Sequence, residues 1–286
     1  MMSWRLLRKG LLPVIAIQYS KQHTILQIFR YSSSNSLIIK KIGPITCIGL
    51  NRPDSKNRLN INLVKKLKEA IDSFEGDDSS PVAVLYGERG NFSYGYDLTE
   101  FNENPKYFNE IEDVGLLETF TSKPIVAAIS GFAVGLAFDV ALWCDFRIVE
   151  ETAVMGGYAR KFGVPISDTI ARRLCYNLGV NKALDLMLTG RVLKSKEALE
   201  SGIATRIVAC GTGLGQAVNF GNSLANMPQA CLKADRTAII SFSKKYSAAH
   251  VNDILQIKET QRLIALEEAE KGLYITESED VRKKDS

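Results

Sequence analysis

Lys123–Asp145, KPIVAAISGFAVGLAFDVALWCD, constrains the fold more than any other stretch of this chain. An apolar strand, Pro124–Ile129, runs into a tight Ser130-Gly131 turn. A segment of small residues follows, and a helix then opens with one acidic side chain, Asp139, among apolar neighbours. Such a junction aims backbone N–H groups and a carboxylate into one small space. The N–H groups can stabilise a developing oxyanion while the carboxylate moves a proton, a pairing that suits chemistry on an acyl group. The plainer reading is a strand–turn–helix whose acid caps the helix or faces water.

The flanking sequence repeats the pattern. Leu37–Ile42 and Ile45–Leu50 are rich in β-formers and separated by Gly43-Pro44, which predicts a hairpin. A polar loop, Asn51–Asn60, carries Pro53 and three basic residues. Leu63, Val64, Leu67, Ala70, Ile71 and Phe74 then follow helical spacing, with lysines on the opposite face. After the turn cluster 76–81 come a buried strand, Val82–Tyr86, a glycine-punctuated loop, Gly87–Asp97, and a helical region over 98–120. The strand 124–129, the helix 136–144 and the strand 146–149 continue the alternation, which indicates an α/β core with parallel strands. Beyond Gly163 the pattern turns helical, with apolar stripes at 180–188 and 214–224 and two more helices over 229–270. The domains expected are a core over 38–212 and a helical region over 213–286, suited to packing against another subunit or against the chain's own core.

Composition limits the function classes. With 45% hydrophobic residues in 286, the chain can bury a large core. Its net charge of +4 is concentrated at one end: residues 1–53 hold no Asp or Glu, and Arg5, Arg8, Lys9, Lys21 and Arg30 fall in the first 31. Taking those five from the 36 Lys and Arg leaves 31 against 32 Asp and Glu, so the body carries no basic footprint for nucleic acid. The acid-free, Arg- and Ser-containing segment 1–31 has the composition of a mitochondrial transit peptide, which predicts the matrix as destination. A secretory signal fits less well, because its apolar region, Leu11–Ile17, is short and broken by Pro13. No apolar run approaches the ~20 residues a membrane span needs. The five cysteines (47, 144, 175, 210 and 231) are odd in number and lack CxxC spacing, which favours free thiols. With only His23 and His250 present, neither a zinc site nor a His-based triad is expected.

Several short segments occur in order: Leu50–Leu59 (LNRPDSKNRL), Phe92–Leu98 (FSYGYDL), the opening segment ending in Leu142-Trp143-Cys144-Asp145, Phe162–Pro165 (FGVP), Leu188–Arg191 (LTGR) and Glu197–Ala204 (EALESGIA). Taken together over residues 38–240, the set resembles the crotonase, or enoyl-CoA hydratase/isomerase, superfamily. The resemblance implies an α/β spiral of ββα turns followed by a helical oligomerisation region, assembled as a homotrimer or a dimer of trimers. It implies an acyl-CoA thioester substrate, no metal and no cofactor beyond the substrate's own CoA. By position, the amides of Tyr96 and Leu136 would form the oxyanion hole, flanked by Tyr94, Gly95 and Gly135. Lys56 or Arg58 would approach a CoA phosphate. For either residue singly, a solvated charged loop is the alternative.

The sequence departs from the family pattern at several of these positions. The first of two glutamates usual in hydratases aligns with Asp139, one methylene shorter, and a shift of roughly 1 Å in a reacting group can cost about 100-fold in rate. The second falls near Ala159. One branch of the family has instead an aspartate after Gly-Val-Pro. Here that residue is Asp168, for which the plainer reading is the N-cap of a helix over Thr169–Leu178. Leu136 and Ala137 replace glycines, Gly135 survives one position earlier, Arg58 stands where a small residue is common, and Tyr94 and Tyr96 add bulk. The reading that follows is an enoyl-CoA hydratase adding water to a trans-2-enoyl thioester, with Asp139 and Asp168 as the catalytic acids. An isomerase using one carboxylate and a non-catalytic acyl-CoA-binding member stand as alternatives.

Overall fold

The computed structural model describes residues 35–104, 106–157 and 168–247. The expected transit peptide, Ala159, the Phe162–Pro165 segment, His250 and the charged tail lie outside them.

Two strands, β1 (Leu37–Ile42) and β2 (Ile45–Leu50), form the expected antiparallel hairpin. The chain then builds helix α1 (Ile61–Glu75), strand β3 (Val82–Gly87) and two short helices, α2 (Leu98–Glu103) and α3 (Tyr107–Asp113). Strand β4 (Ile125–Ile129), strand β5 (Phe132–Val134) and helix α4 (Leu136–Trp143) form one ββα turn. Strands β6 (Phe146–Glu150) and β7 (Val154–Gly156) begin the next, which helix α5 (Asp168–Leu178) follows. Helix α6 (Val180–Thr189), strand β8 (Leu193–Lys194), helix α7 (Ser195–Glu200), strand β9 (Arg206–Val208) and helices α8 (Gly213–Ala225) and α9 (Gln229–Ser247) complete the described chain. One sheet has the order β1-β2-β3-β4-β6-β9, parallel from β2 onward. The other has the order β5-β7-β8. Successive turns thus send one strand to each sheet, which is the α/β spiral of ββα turns.

The central strands are buried on both faces, and their alternation divides the core in two. Ile48, Leu85, Ala127 and Ile129 face α1 and α4, whose apolar stripes supply Leu63, Leu67, Ile71, Phe138 and Ala141. Ile45, Val84, Val126 and Ile148 face Ala217 and Val218 of α8. Asn60 caps α1 by accepting from the Leu63 amide at 2.9 Å. At the other end, the buried Lys123 ammonium donates to Phe74 O and Asp77 O, at 2.9 and 2.8 Å. Truncating fully buried Leu67 to alanine would cost about 2–5 kcal/mol.

One expectation changes. The region beyond Gly163 is not helical alone, since β9 joins the main sheet beside β6 and β8 joins the smaller one. These strands have three and two residues, too few for a period to show. Helix α8, the first of the expected C-terminal helical region, packs on the main sheet, as the alternative of packing against the chain's own core has it.

Candidate active site

Residues 92–95 run alongside the segment that contains β5. Phe92 N donates to Ser130 O at 2.8 Å, Ser93 N to Phe132 O at 2.8 Å and Val134 N to Ser93 O at 3.3 Å. This zipper drives Gly95 against the backbone just before α4. Gly95 has φ +79°, and a β-carbon there would overlap the Val134 carbonyl oxygen and lie 3.1 Å from the Leu136 nitrogen. Only glycine fits. The next amide, that of Tyr96, is thereby set beside that of Leu136. Among the described residues, neither amide donates to a protein acceptor.

The second donor needs no glycine of its own. Gly135, the N-cap of α4, carries the unusual backbone (φ +56°, ψ −129°), and Leu136 is the first helical residue. A helix leaves its first N–H groups free, so the Leu136 amide is exposed by its position, while its side chain packs into the core. Asp139 lies three residues on, one helical turn along the same face. It is 3% exposed, and its amide donates to Gly135 O at 3.2 Å. Two free amides and a buried carboxylate therefore share one end of a helix whose positive dipole end favours negative charge.

Two further groups feel Asp139. Burial pushes the Tyr96 phenol well above its ordinary pKa, and the Asp139 charge pushes the same way. Burial pulls the Arg173 guanidinium, on α5, down to about 10, with Asp139 the charge that most opposes the fall. Arg173 Nη2 donates to Leu117 O at 2.9 Å.

The basic loop after β2 divides its work. Lys56 is exposed, adopts φ +53° and places its ammonium 4.5 Å from the centre of the Tyr94 ring, which in turn packs 4.7 Å from Phe132. Arg58 is half-buried. The third basic residue, Arg52, is committed internally: Nη1 donates to Asp97 Oδ2 and to Arg58 O, both at 2.7 Å. Buried Asn57, at φ +57°, knots the loop by accepting from Arg52 N and donating to Glu88 O and Asn91 O.

Arg52, Asn57, Asp97, Tyr107 and Arg173 were not singled out from sequence. The Tyr107 hydroxyl donates to Leu59 O and accepts from Asp97 N, fixing the peptide that follows Tyr96. An Asn in a polar loop is a signal for a left-handed residue. Nothing in the spacing announces Tyr107. Asp168 is the first residue of α5, so the helix starts one residue before the expected Thr169. The position of its side chain lies outside the described residues, as does Ala159. Among the described residues there is no cluster of three or more His, Cys, Asp or Glu that could hold a metal. No helix among them is long and apolar enough to cross a membrane.

The arrangement has counterparts in known proteins. A family model described as enoyl-CoA hydratase/isomerase matches residues 41–280. A probable enoyl-CoA hydratase of Rhizobium meliloti (strain 1021) is 34% identical over 197 residues, 68% of this chain and 77% of the relative. A probable mitochondrial enoyl-CoA hydratase of Dictyostelium discoideum is 29% identical over 203 residues, 70% of this chain and 73% of the relative. Among solved structures, an enoyl-CoA hydratase from Mycobacterium tuberculosis H37Rv superposes with a TM-score of 0.71 at 26% identity, covering 81% of this chain and 97% of that one. With its spiral fold and a matching family model over most of its length, this chain belongs to the enoyl-CoA hydratase/isomerase family.

Proposed function

We propose that this chain is an enoyl-CoA hydratase, adding water across the double bond of a trans-2-enoyl-CoA. The observation that carries the reading is the pair of unengaged amides, Tyr96 and Leu136, one helical turn from the buried Asp139 carboxylate. The thioester oxygen sits on the two amides, which stabilise the enolate as it forms. Asp139 takes a proton from water, the water oxygen bonds to C3, and C2 receives a proton. The CoA moiety, part of the substrate and the only cofactor-like group required, lies along the 52–58 loop. Exposed Lys56 and half-buried Arg58 meet its anionic groups. Residues 1–31 direct the chain to the mitochondrial matrix, in keeping with the Dictyostelium relative, and the chain assembles as a homotrimer or hexamer in acyl-CoA metabolism. Asp168 joins the site as a second acid.

Turnover of crotonyl-CoA by the purified chain, run beside Asp139→Asn, tests the reading. Hydration that disappears in the variant supports it, and equal activity in both removes Asp139 from the mechanism. An inactive wild type excludes hydration of this substrate. A double-bond isomerisation needs only one carboxylate, and Asp139 suffices for it. Conversion of 3-enoyl-CoA to 2-enoyl-CoA faster than hydration would favour that alternative.

A further inference from the structure

The loop that carries Lys56 is built around a buried amide side chain. Asn57 is 0% exposed and follows Lys56 in a left-handed pair, with φ of +53° and +57°. Asparagine is one of the few residues besides glycine that take this conformation readily. Asn57 N donates to Arg52 O and Arg52 N donates to Asn57 Oδ1, both at 2.8 Å, which closes the loop on itself. Closure needs no more than that. Yet Nδ2 uses both of its N–H bonds outside the loop, on Glu88 O at 2.9 Å and Asn91 O at 2.8 Å. Those two carbonyls belong to the segment that leads into the Tyr96 amide. The same two segments stay bonded beyond Asn57. Tyr94 N donates to Lys56 O at 3.1 Å, and Leu59 N donates to Gly95 O at 2.7 Å. Leu59 then pairs with Tyr96 in a parallel bridge. The exposed ammonium and the first amide donor thus lie on two short stretches joined by backbone bonds, and Asn57 is the side chain that fastens them where they first meet.

We propose that Asn57 is a positioning residue that transmits binding of the CoA nucleotide at Lys56 to the oxyanion amide of Tyr96. This rests on the hydratase reading above. A phosphate drawn to the Lys56 ammonium pulls on the backbone of Lys56 and Asn57. Because Asn57 is anchored on Glu88 O and Asn91 O, the loop does not yield alone. The pull passes through the bond between Lys56 O and Tyr94 N to the segment that holds Gly95 and Tyr96. Binding energy from a part of the substrate that does not react is thereby used to hold an amide where charge develops. Without the anchor the loop follows the phosphate by itself. The nucleotide then improves binding and leaves the chemical step unaided.

The test compares hydration of crotonyl-CoA with that of crotonyl-pantetheine, which lacks the nucleotide, in the full chain and in two variants. Asn57→Gly keeps the left-handed backbone and removes the side-chain bonds to Arg52, Glu88 and Asn91. Asn57→Asp keeps the acceptor for Arg52 N and removes both donors. Thermal melting shows which variants fold, and kcat and KM are read for each ester. In the wild type, kcat for the CoA ester is expected to exceed that for the pantetheine ester by about 10- to 100-fold. In a folded variant that ratio is expected to fall to about threefold or less, through loss of kcat with the CoA ester alone. Equal kcat for the two esters in the wild type overturns the inference, because no nucleotide binding energy then reaches the amides. Equal losses with both esters in the variants also overturn it, since they make Asn57 a general brace of the fold, and so does failure of both variants to fold. A wild type that turns over neither ester removes the hydratase reading and this inference with it.

Discussion

Arg52 and Asp97, 45 residues apart, form an ion pair with Nη1 2.7 Å from Oδ2. The pair joins the loop after β2 to the residue following Tyr96, tying the segment that carries Lys56 and Arg58 to the one that carries the Tyr96 amide. Asp97 is 5% exposed, and its amide is also held by the Tyr107 hydroxyl. Arg52→Met leaves a nearly buried carboxylate without its cation. Because Arg52 itself is partly exposed, the expected loss is about 1–3 kcal/mol rather than that of a fully buried pair. Urea unfolding reads that loss, and a lower kcat in the folded variant shows that the pair also holds the Tyr96 amide. Unchanged stability and kcat would show that the loop holds without it.

Gly95 admits no side chain. The left-handed conformation alone costs a residue with a β-carbon about 1–2 kcal/mol, and in Gly95→Ala that carbon would also overlap the Val134 carbonyl. The backbone must part at the point where the two amides meet. A displacement near 1 Å there is expected to lower kcat about 100-fold. Assay and melting together check this, and a variant with native kcat would show that the two amides need not be adjacent.

The fold and the site were legible to different depths. Helix α1 shows itself because Leu63, Leu67, Ile71 and Phe74 recur at helical spacing, and β2 to β4 because they are continuous apolar runs between turns. The pairing of Tyr96 with Leu136 was reachable only through family resemblance, since a backbone amide leaves no mark on composition. Gly135, rather than Leu136, bears the unusual dihedral, a distinction that sequence raises and only the backbone answers. The Tyr107 hydroxyl bridges to Leu59 across 48 residues, and no local period encodes a contact of that range. Strands β5, β7, β8 and β9 are too short to alternate visibly, and they exist because neighbouring strands pair with them.

The thiols divide into two classes. Cys175, Cys210 and Cys231 are exposed, while Cys47 and Cys144 are buried. Burial pushes Cys47 up to about 11 and Cys144 up to about 12, from an ordinary 9.0. A thiol-reactive chromophore at pH 8 should label three sites in the native protein and five after unfolding. The same shifts set a pH dependence. Both folded values exceed the unfolded one, so the stabilisation is fully present below pH 9 and is lost as pH rises towards 11–12. Cys47 then withdraws about 3 kcal/mol and Cys144 about 4 kcal/mol. Cys47→Ala and Cys144→Ala should flatten that alkaline decline, at the cost of small cavities, and a decline as steep as that of the wild type would place its origin elsewhere.

Arg173 gives the site an acid-side prediction. Burial depresses its guanidinium to about 10, and Asp139 is the charge that most restrains the depression. Coupling between two charges is reciprocal, so the guanidinium favours the ionised carboxylate by the same free energy. In the proposed mechanism Asp139 takes a proton from water as a carboxylate, so activity is expected to fall on the acid side. Removing the cation in Arg173→Met makes the carboxylate easier to protonate, which moves the acid limb of the kcat/KM profile to higher pH. The variant also deprives Leu117 O of its donor, a loss expected to lower the melting midpoint without displacing that limb. A pH profile separates the two effects: a shifted limb assigns Arg173 to the electrostatics of Asp139. An unshifted limb with a lower midpoint makes it a structural brace between α5 and the chain near Leu117.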